Sequence, residues 1–315
     1  MSNKRKLAIY AAAVVAALAV FSWWAMLSNG SPSEPIAPIP IAALRAAAAT
    51  TPADQLPQQL RLHQIATLQA PSALVEVGGG FGKTPIAYTA FEARYRGDGG
   101  SIFIDASGDR KTASTNAKPE NMQFDDKAYR HLLNDMVTAR LVLFTHEHRD
   151  HVMAVVRNPR IAEVAAHVWL TGAQRPIMLR SAENDAARAI IKQIPAQLGH
   201  VIQRVAPGIA VAPMPGHSPG SQLVFVRLQN GQEYLFIGDI GWVMTNVQRV
   251  KTRPRLMQWF FFDPPEERSQ VLAQLQALHD LSVNEPNLTL IPCHDAQYLA
   301  QLVKAGHLHL ANDYQ

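Results

Sequence analysis

The chain has 315 residues, 48% of them hydrophobic and 17% charged, which is enough apolar material for a sizeable core and excludes a largely disordered polymer. One cysteine excludes an internal disulfide framework and any CxxC-based metal site. Of the net charge of +4, Lys4, Arg5 and Lys6 supply three, and no acid precedes Glu34. The rest is nearly neutral, so no nucleic-acid partner is expected.

Leu7 to Leu27 is an uncharged, mainly apolar stretch of 21 residues, long enough to span a bilayer as a helix. Trp23 and Trp24 fall near its far end, where indoles favour the headgroup zone, and the basic cluster before it places the N-terminus inside. Residues 1–30 therefore read as a signal anchor or transmembrane helix. The body would be exported and held at the inner membrane, facing the periplasm in a Gram-negative cell. A cleaved signal ending near Ser28-Asn29-Gly30 is the rival, releasing the body to the periplasm. Residues 31–72 hold seven prolines and read as a Pro/Ala-rich tether with one short helix from Ile41 to Ala49. The alternative is an N-terminal subdomain, in which the apolar residues of QQLRLHQIATL pack on the body.

From Ala73 to Gln315, strand and helix patterns alternate. ALVEV, PIAYTAFEARY and SIFID read as early strands, with GGGFG as a turn. FDDKAYRHLLNDMVTA has helical spacing, with Tyr129, Leu132, Leu133 and Met136 on one face. RLVLFT, HVWLT, HVIQRV, IAVAPM, QLVFVRL and EYLFIGD follow as strands. An amphipathic helix, PEERSQVLAQLQALHDL, buries Leu272, Leu275, Leu278 and Leu281. A last strand, LTLIPC, and a closing helix through QYLAQLVKAG complete a single α/β unit, 73–315.

RLVLFT runs into His146-Glu147-His148-Arg149-Asp150-His151, three imidazoles and a carboxylate within six residues. Histidines at i and i+2 of an extended turn can reach one metal, while Asp150 and His151 begin a helix and turn towards a second. Such ligands suit zinc, and also iron or manganese. His217 in PMPGHSPGS, Asp239 in EYLFIGD and His294 in LTLIPCH each close a strand. The series HxHxDH, GH, GD, H resembles the metallo-β-lactamase superfamily over roughly residues 73–315. The resemblance implies an αββα sandwich with a dinuclear site, most simply two zinc ions. His146, His148 and His217 would bind the first metal, and Asp150, His151 and His294 the second, with Asp239 bridging both. Asp105 matches the strand-end aspartate that supports the metal loop from behind, and Asp295 is a second candidate for steadying an imidazole. Two such metals make hydroxide available near neutral pH, with Asp150 and Asp239 as catalytic carboxylates.

True β-lactamases generally lack an aspartate at the position of Asp239, which points to other hydrolases. CHDAQ and GHSPGS resemble the HD-x-x-Q and GHTPG segments of quorum-signal lactonases. This chain departs from them at Trp242, where they tend to carry tyrosine, and at Ser221, near which they have a further histidine. The expected substrate is a small lactone or ester. A phosphodiester, a thioester, or a metal-binding scaffold without turnover are the alternatives. IGWVMTNVQRVKTRPRLMQWFFFDPP is unusual: Trp242, Trp259 and Phe260 could wall a substrate pocket, with Arg253 and Arg255 for an anionic or carbonyl head group. A buried strand or a dimer contact is the second reading of that segment, and membrane contact, given the anchor, is the third. Cys293 is expected to be a structural, buried thiol.

Overall fold

The computed structural model describes residues 2–49 and 52–311, and the side chains of Asp98 and Trp259 lie outside the described residues. The N-terminal stretch forms helix α1, Asn3–Met26, started by the Ser2 side chain, which accepts from the Arg5 backbone N–H. It is long and apolar enough to cross a membrane, with mean hydropathy 2.0 and none of its apolar window buried in the body.

The next forty residues correct the tether reading. Helix α2, Ile41–Ala48, lies on the body with Leu44 fully buried and Ile39 and Ala48 nearly so. Arg45 fixes it from the polar side, donating to Glu233 and to both oxygens of Glu285. The segment QLRLHQIATLQAP is β1, Gln59–Pro71, paired antiparallel along its length with β2, Lys83–Arg94. The folded unit thus begins well before Ala73, because Leu60, Leu62, Ile65 and Leu68 need a sheet to cover them. ALVEV is not a strand either: Ser72–Val75 forms a single helical turn.

In the first sheet, β1 and β2 continue into β3 (Ser101–Ile104), β5 (Leu141–Leu143), β6 (Val168–Thr171) and β7 (Ala196–Leu198), while β4 (Met122–Phe124) pairs with β1. The second sheet contains β8 (Gln203–Ala206), β9 (Ile209–Pro213), β10 (Gln222–Arg227), β11 (Glu233–Gly238) and β12 (Leu288–Pro292). The chain then returns to the first sheet, where β13 (His309–Leu310) adds in parallel to β1.

Three apolar layers follow from the alternation of side chains along these strands. Between the sheets, Leu62, Phe91, Ile104 and Leu143 meet Val211, Val224, Phe236 and Ile291. Phe91 and Phe236 cross edge to face at 4.9 Å. Outside the first sheet, Phe103, Val142 and Phe144 are covered by Leu132, Met136, Val152 and Val155 from helices Asp126–Asp135 and Arg149–Val156 and the turn after the first. Outside the second, Phe225, Leu235 and Ile237 are covered by Leu44 of α2 and by Leu275 and Leu278 of helix Arg268–Asn284. The order is helix, sheet, sheet, helix. Strands β3 and β5 run parallel, as do β11 and β12, so their carboxyl ends gather at one edge.

Candidate metal centre

The carboxyl ends of β3, β5, β11 and β12 deliver Asp105, His146, Asp239 and His294 within a few residues of each strand's last hydrogen bond. The loop after β9 brings His217. Helix Arg149–Val156 starts inside the histidine motif, with His148 as its N-cap and Asp150 in its first turn. Gly238, in the left-handed region at φ 51°, turns β11 sharply enough to aim Asp239 inward beside Thr145. At Gly220 a Cβ would collide with the carboxylate of Glu147, so glycine is required for the GHSPG turn to close on the HEH loop. Glu147 joins the two loops: it accepts from Ser218 Oγ (2.9 Å) and Gly220 N–H (3.1 Å).

All seven sequence-derived ligand positions converge. His148 Nδ1 lies 3.1 Å from His146 Nε2 and 3.0 Å from His217 Nε2. Asp239 Oδ2 faces this group, 3.7 Å from His146 Nε2 and 3.5 Å from His217 Nε2. Its other oxygen, Oδ1, faces the second group, 3.3 Å from His151 Nε2 and 3.1 Å from His294 Nε2. Asp150 Oδ2 stands 3.6 Å from His294 Nε2, and His151 and His294 approach each other at 3.1 Å. One carboxylate therefore presents one oxygen to each half of the site.

The outward nitrogens decide what the inward ones can do. His151 Nδ1 lies 3.0 Å from Asp105, His217 Nδ1 3.0 Å from Glu266, and His294 Nδ1 2.7 Å from the carbonyl of Ala87. Thr145 Oγ1, already donating to Asp105, is left to accept from His146 Nδ1 at 3.2 Å. With the Nδ1–H groups of His146, His151, His217 and His294 committed to acceptors, their Nε2 lone pairs face inward, those of His151 and His294 towards each other and those of His146 and His217 towards Nδ1 of His148. Asp239 Oδ1 and His148 Nε2 are buried without a hydrogen-bond partner. Lone pairs 3.0 to 3.1 Å apart repel unless a cation lies among them, so the donor set fits two divalent metals, one per half.

Charge follows the same division. Burial pushes His146 and His148 well below the usual imidazole range, leaving them neutral. Burial also acts to lower His151, but the carboxylates of Asp105 and Asp239 outweigh it and raise it, so a positive charge, a proton or a cation in its place, is favoured between His151 Nε2 and Asp239. Burial alone would raise Asp239, yet the imidazoles facing it, His294 first, hold it well below the usual carboxylate range.

The supporting residues match the sequence in part. Asp105 does sit behind the site: it accepts from Thr145 N–H at 2.7 Å and orients His151, in a left-handed conformation (φ 60°) that aspartate tolerates better than most residues. Among the described residues, Asp295 bonds to no imidazole. It accepts from Met244 N–H and Tyr298 N–H, capping helix Ala296–Lys304, because the residue after His294 turns away from the metal edge. Cys293 is buried with its thiol 3.4 Å from Asp105, and burial pushes it well up. It packs under the site as an inert apolar group.

The segment after Asp239 forms two short helices, Met244–Arg249 and Arg255–Phe260, and not a strand. Trp242 is at the site, its indole N–H donating to Asp239 Oδ2 at 2.7 Å and its ring 5.9 Å from that of His294. Phe260 is 73% exposed and points away, and the side chain of Trp259 lies outside the described residues. Phe262 takes the expected wall position, its ring 6.0 Å from His148 and 5.2 Å from His217. Arg253 is not free for a head group: it is buried, donates to Glu266 at 2.6 Å, and lies over the rings of Trp242 and Phe262. Glu266, which also accepts from Gln258 at 2.6 Å, is the main residue that the sequence did not reveal. Burial works to raise it, but Arg253 and His217 bring it down to about 2.

Among solved structures, the chain is similar to an N-acyl homoserine lactone hydrolase holding the product N-hexanoyl-L-homoserine at its catalytic metal centre. That match has 14% identity, covers 78% of this chain and 96% of the other, and has a TM-score of 0.55. AiiA of B. thuringiensis, with N-decanoyl-L-homoserine at its active site, matches with the same four values. A protein from Staphylococcus aureus described as a probable metal-dependent hydrolase matches at 12% identity over 76% and 90% of the chains, with a TM-score of 0.50. The chain has the metallo-β-lactamase fold. At such identities the likeness speaks for the fold, and the metallo-β-lactamase arrangement accounts for a site at one edge of two sheets. No family model and no curated protein matches the sequence.

Proposed function

We propose that the protein is a dinuclear metal-dependent hydrolase, held by α1 at the outer face of the inner membrane, that opens a lactone or ester. The observation that carries this reading is the convergence of imidazole lone pairs whose outward N–H groups are already committed, on either side of one carboxylate. His146, His148 and His217 would hold one cation and Asp150, His151 and His294 the other, with Asp239 shared. Two divalent cations there, zinc by preference of the donors, would acidify a shared water and polarise a carbonyl oxygen.

The chain's own residues supply the remainder. Asp239 sets the spacing of the two halves, and the Trp242 N–H fixes the plane of its carboxylate. Glu266 and Asp105 hold His217 and His151 in the tautomer that faces inward. Asp150, whose side chain is 20% exposed against 3% for Asp239, is the better placed of the two to meet water and substrate. It can take a proton from the attacking water and return it to the alkoxide oxygen as the acyl C–O bond breaks. Phe262 and Trp242 form an apolar wall that excludes bulk water and suits an acyl chain. The lactone class draws support from the N-acyl homoserine lactone hydrolase among the similar structures.

Trp242 cannot supply the phenol hydroxyl that quorum-signal lactonases tend to place at this position, which keeps phosphodiesters as the second reading. Metal analysis with a panel of lactones, aryl esters and phosphodiesters tests both. The expected result is close to two transition-metal ions per chain and turnover of a lactone or ester. One ion at saturation refutes the dinuclear centre, and turnover of the phosphodiester alone replaces the substrate class. Protein recovered in the soluble periplasmic fraction, beginning near Ser31, would replace the anchor with a cleaved signal.

A further inference from the structure

The end of α1 is bonded directly to the segment that roofs the metal centre. Asn29 donates to the carbonyl of Val250 at 2.8 Å and accepts from Thr252 N–H at 3.1 Å. Arg268 donates to the carbonyls of Ser28 and Asn29. Ser33 N–H binds the carbonyl of Ser269 at 2.9 Å. Between these two anchoring points runs the roof, 250–268, which includes Arg253, Phe262 and Glu266. The guanidinium of Arg255, which begins its short helix, lies 5.2 Å from the ring of Trp24 in the last full turn of α1. Ala25 is buried at the same junction.

These contacts leave no slack between membrane helix and active site. A helix of 24 residues is about 36 Å long, and the hydrocarbon core is about 30 Å thick. The last turn of α1, with Trp23 and Trp24, therefore emerges at the headgroups, and the roof helix that touches it lies at the same depth. The roof also presents the wrong chemistry for water. Beyond α1, the exposed aromatic side chains among the described residues are Phe81, Phe260 and Phe261, at 109%, 73% and 54%. Phe260 and Phe261 belong to the roof. Phe81 projects from the GGGFG loop, whose neighbour Val77 is hydrogen-bonded to Thr252 of the roof. The next residue in sequence, Phe262, points inward against His148 and His217.

We infer that the roof docks on the outer leaflet of the membrane that α1 spans, with Phe260 and Phe261 inserted at the boundary between headgroups and acyl chains. The mouth of the metal centre then opens towards lipid, and the substrate is an amphiphile whose acyl tail is partitioned in that leaflet. The inference deepens the anchored-hydrolase reading and rests on it. Side chains of this kind gain by leaving water, and buried apolar area sets the strength of such interfacial contacts.

The test uses the full chain reconstituted in phosphatidylethanolamine–phosphatidylglycerol vesicles with brominated acyl chains. Single cysteines are introduced as F260C, F261C and V283C and labelled with an environment-sensitive fluorophore, the native Cys293 being buried. Blue-shifted, bromine-quenched emission at 260 and 261, with water-like emission at 283, is expected. Water-like emission at all three sites, equal quenching at 283, or failure of the chain to insert overturns the docking. In parallel, F260S/F261S should lose about tenfold in hydrolysis of a long-chain ester partitioned in the vesicles and keep its rate on a short, water-soluble ester. Equal loss on both, or none on either, overturns the lipid-side mouth. Quenching at 260 and 261 with no turnover of either ester by the wild type keeps the docking and discards the hydrolase.

Discussion

Leu44→Ala separates a tether from a folded layer. Leu44 is fully buried among Ala210, Leu223, Phe225 and Leu235 on the outer face of the second sheet, with Ile39 and Ala48 beside it. Truncation to alanine removes buried carbons and leaves a cavity that the rigid sheet cannot close. Such changes cost roughly 3 to 5 kcal/mol in well-packed cores. A residue in a Pro/Ala-rich spacer would cost about zero. The assay is urea unfolding of the full chain in detergent, followed by near-ultraviolet circular dichroism of the body, with the exposed substitution Ala46→Ser as the control. A loss of about 3 kcal/mol at unchanged slope, with the control within about 0.5 kcal/mol of wild type, is expected. A shift no larger than the control's would mean that residues 31–48 do not belong to the fold. The corresponding truncations go further. A chain starting at residue 50 should fold less stably, whereas one starting at residue 73 should not fold, because β1 and its twelve paired positions with β2 are gone.

Glu266→Gln leaves Arg253 buried without its charge partner and His217 without its carboxylate. The expected loss is about 3 kcal/mol in stability and roughly 10- to 100-fold in affinity for the metal on the His217 side, read by unfolding and by competition with a chromogenic chelator. Unaltered metal affinity would show that Glu266 serves only Arg253. Asp239→Ala should bring metal content well below two per chain and abolish most turnover while the sheets stay folded, since the core lies between and outside them; an unchanged count at saturation would remove Asp239 as the shared ligand. Trp242→Tyr should keep or improve lactone turnover if a phenol assists there, and a complete loss would assign the indole N–H to Asp239 as the feature that matters. For acid stability, Glu92 is the sensitive group. Burial works to raise its pKa, but the His63 bond, Ser101 and Arg61 bring it below the ordinary value of 4.5. Its stabilisation is therefore complete above about 4.5 and is lost as pH falls through the lower folded value. Glu92→Gln should be less stable than wild type at pH 7, and the difference should shrink only as pH falls below 4.5 and through the lowered folded value; a difference that stays constant down to acid unfolding would refute the assignment.

The candidate ligands were legible because histidine and aspartate at this density are chemically rare and because His146, Asp239 and His294 follow closely on apolar strands. RLVLFT, EYLFIGD and LTLIPC announce their own direction, and a polar side chain at the exit of such a run lies at a sheet edge. Asp105 came from the resemblance, as the match to its strand-end aspartate, and it lies behind the site. The strand-exit logic failed at Asp295, which has the same sequence context as a supporting carboxylate but lies one residue past the strand's last ligand and faces a helix start instead. It also missed β1. QLRLHQIATL mixes polar and apolar residues without strict alternation, and a bulge between Gln64 and Ala66 shifts its register. His63 and Arg61 are buried there as partners of Glu92, so the strand looked more soluble than it is.

The roof was legible as unusual and illegible in detail, and the reason is physical. WFFFD offers four adjacent aromatic residues, and neither helical nor strand periodicity says which of them turns inward. That choice is made by Glu266, far enough along the chain to escape any local pattern. Glu266 draws Arg253 and Gln258 onto itself beside His217, and this holds the short helix Arg255–Phe260 both before its start and within its second half. With Met257 and Gln258 buried by those bonds, the following turn places Phe262 against the imidazoles and leaves Phe260 and Phe261 outside. One buried carboxylate thus settles the tautomer of His217 in the candidate metal centre and the facing of the apolar wall together. A variant that weakens it should change metal affinity and the exposure of Phe260 in the same experiment, whereas a change at Phe260 itself should leave metal affinity untouched.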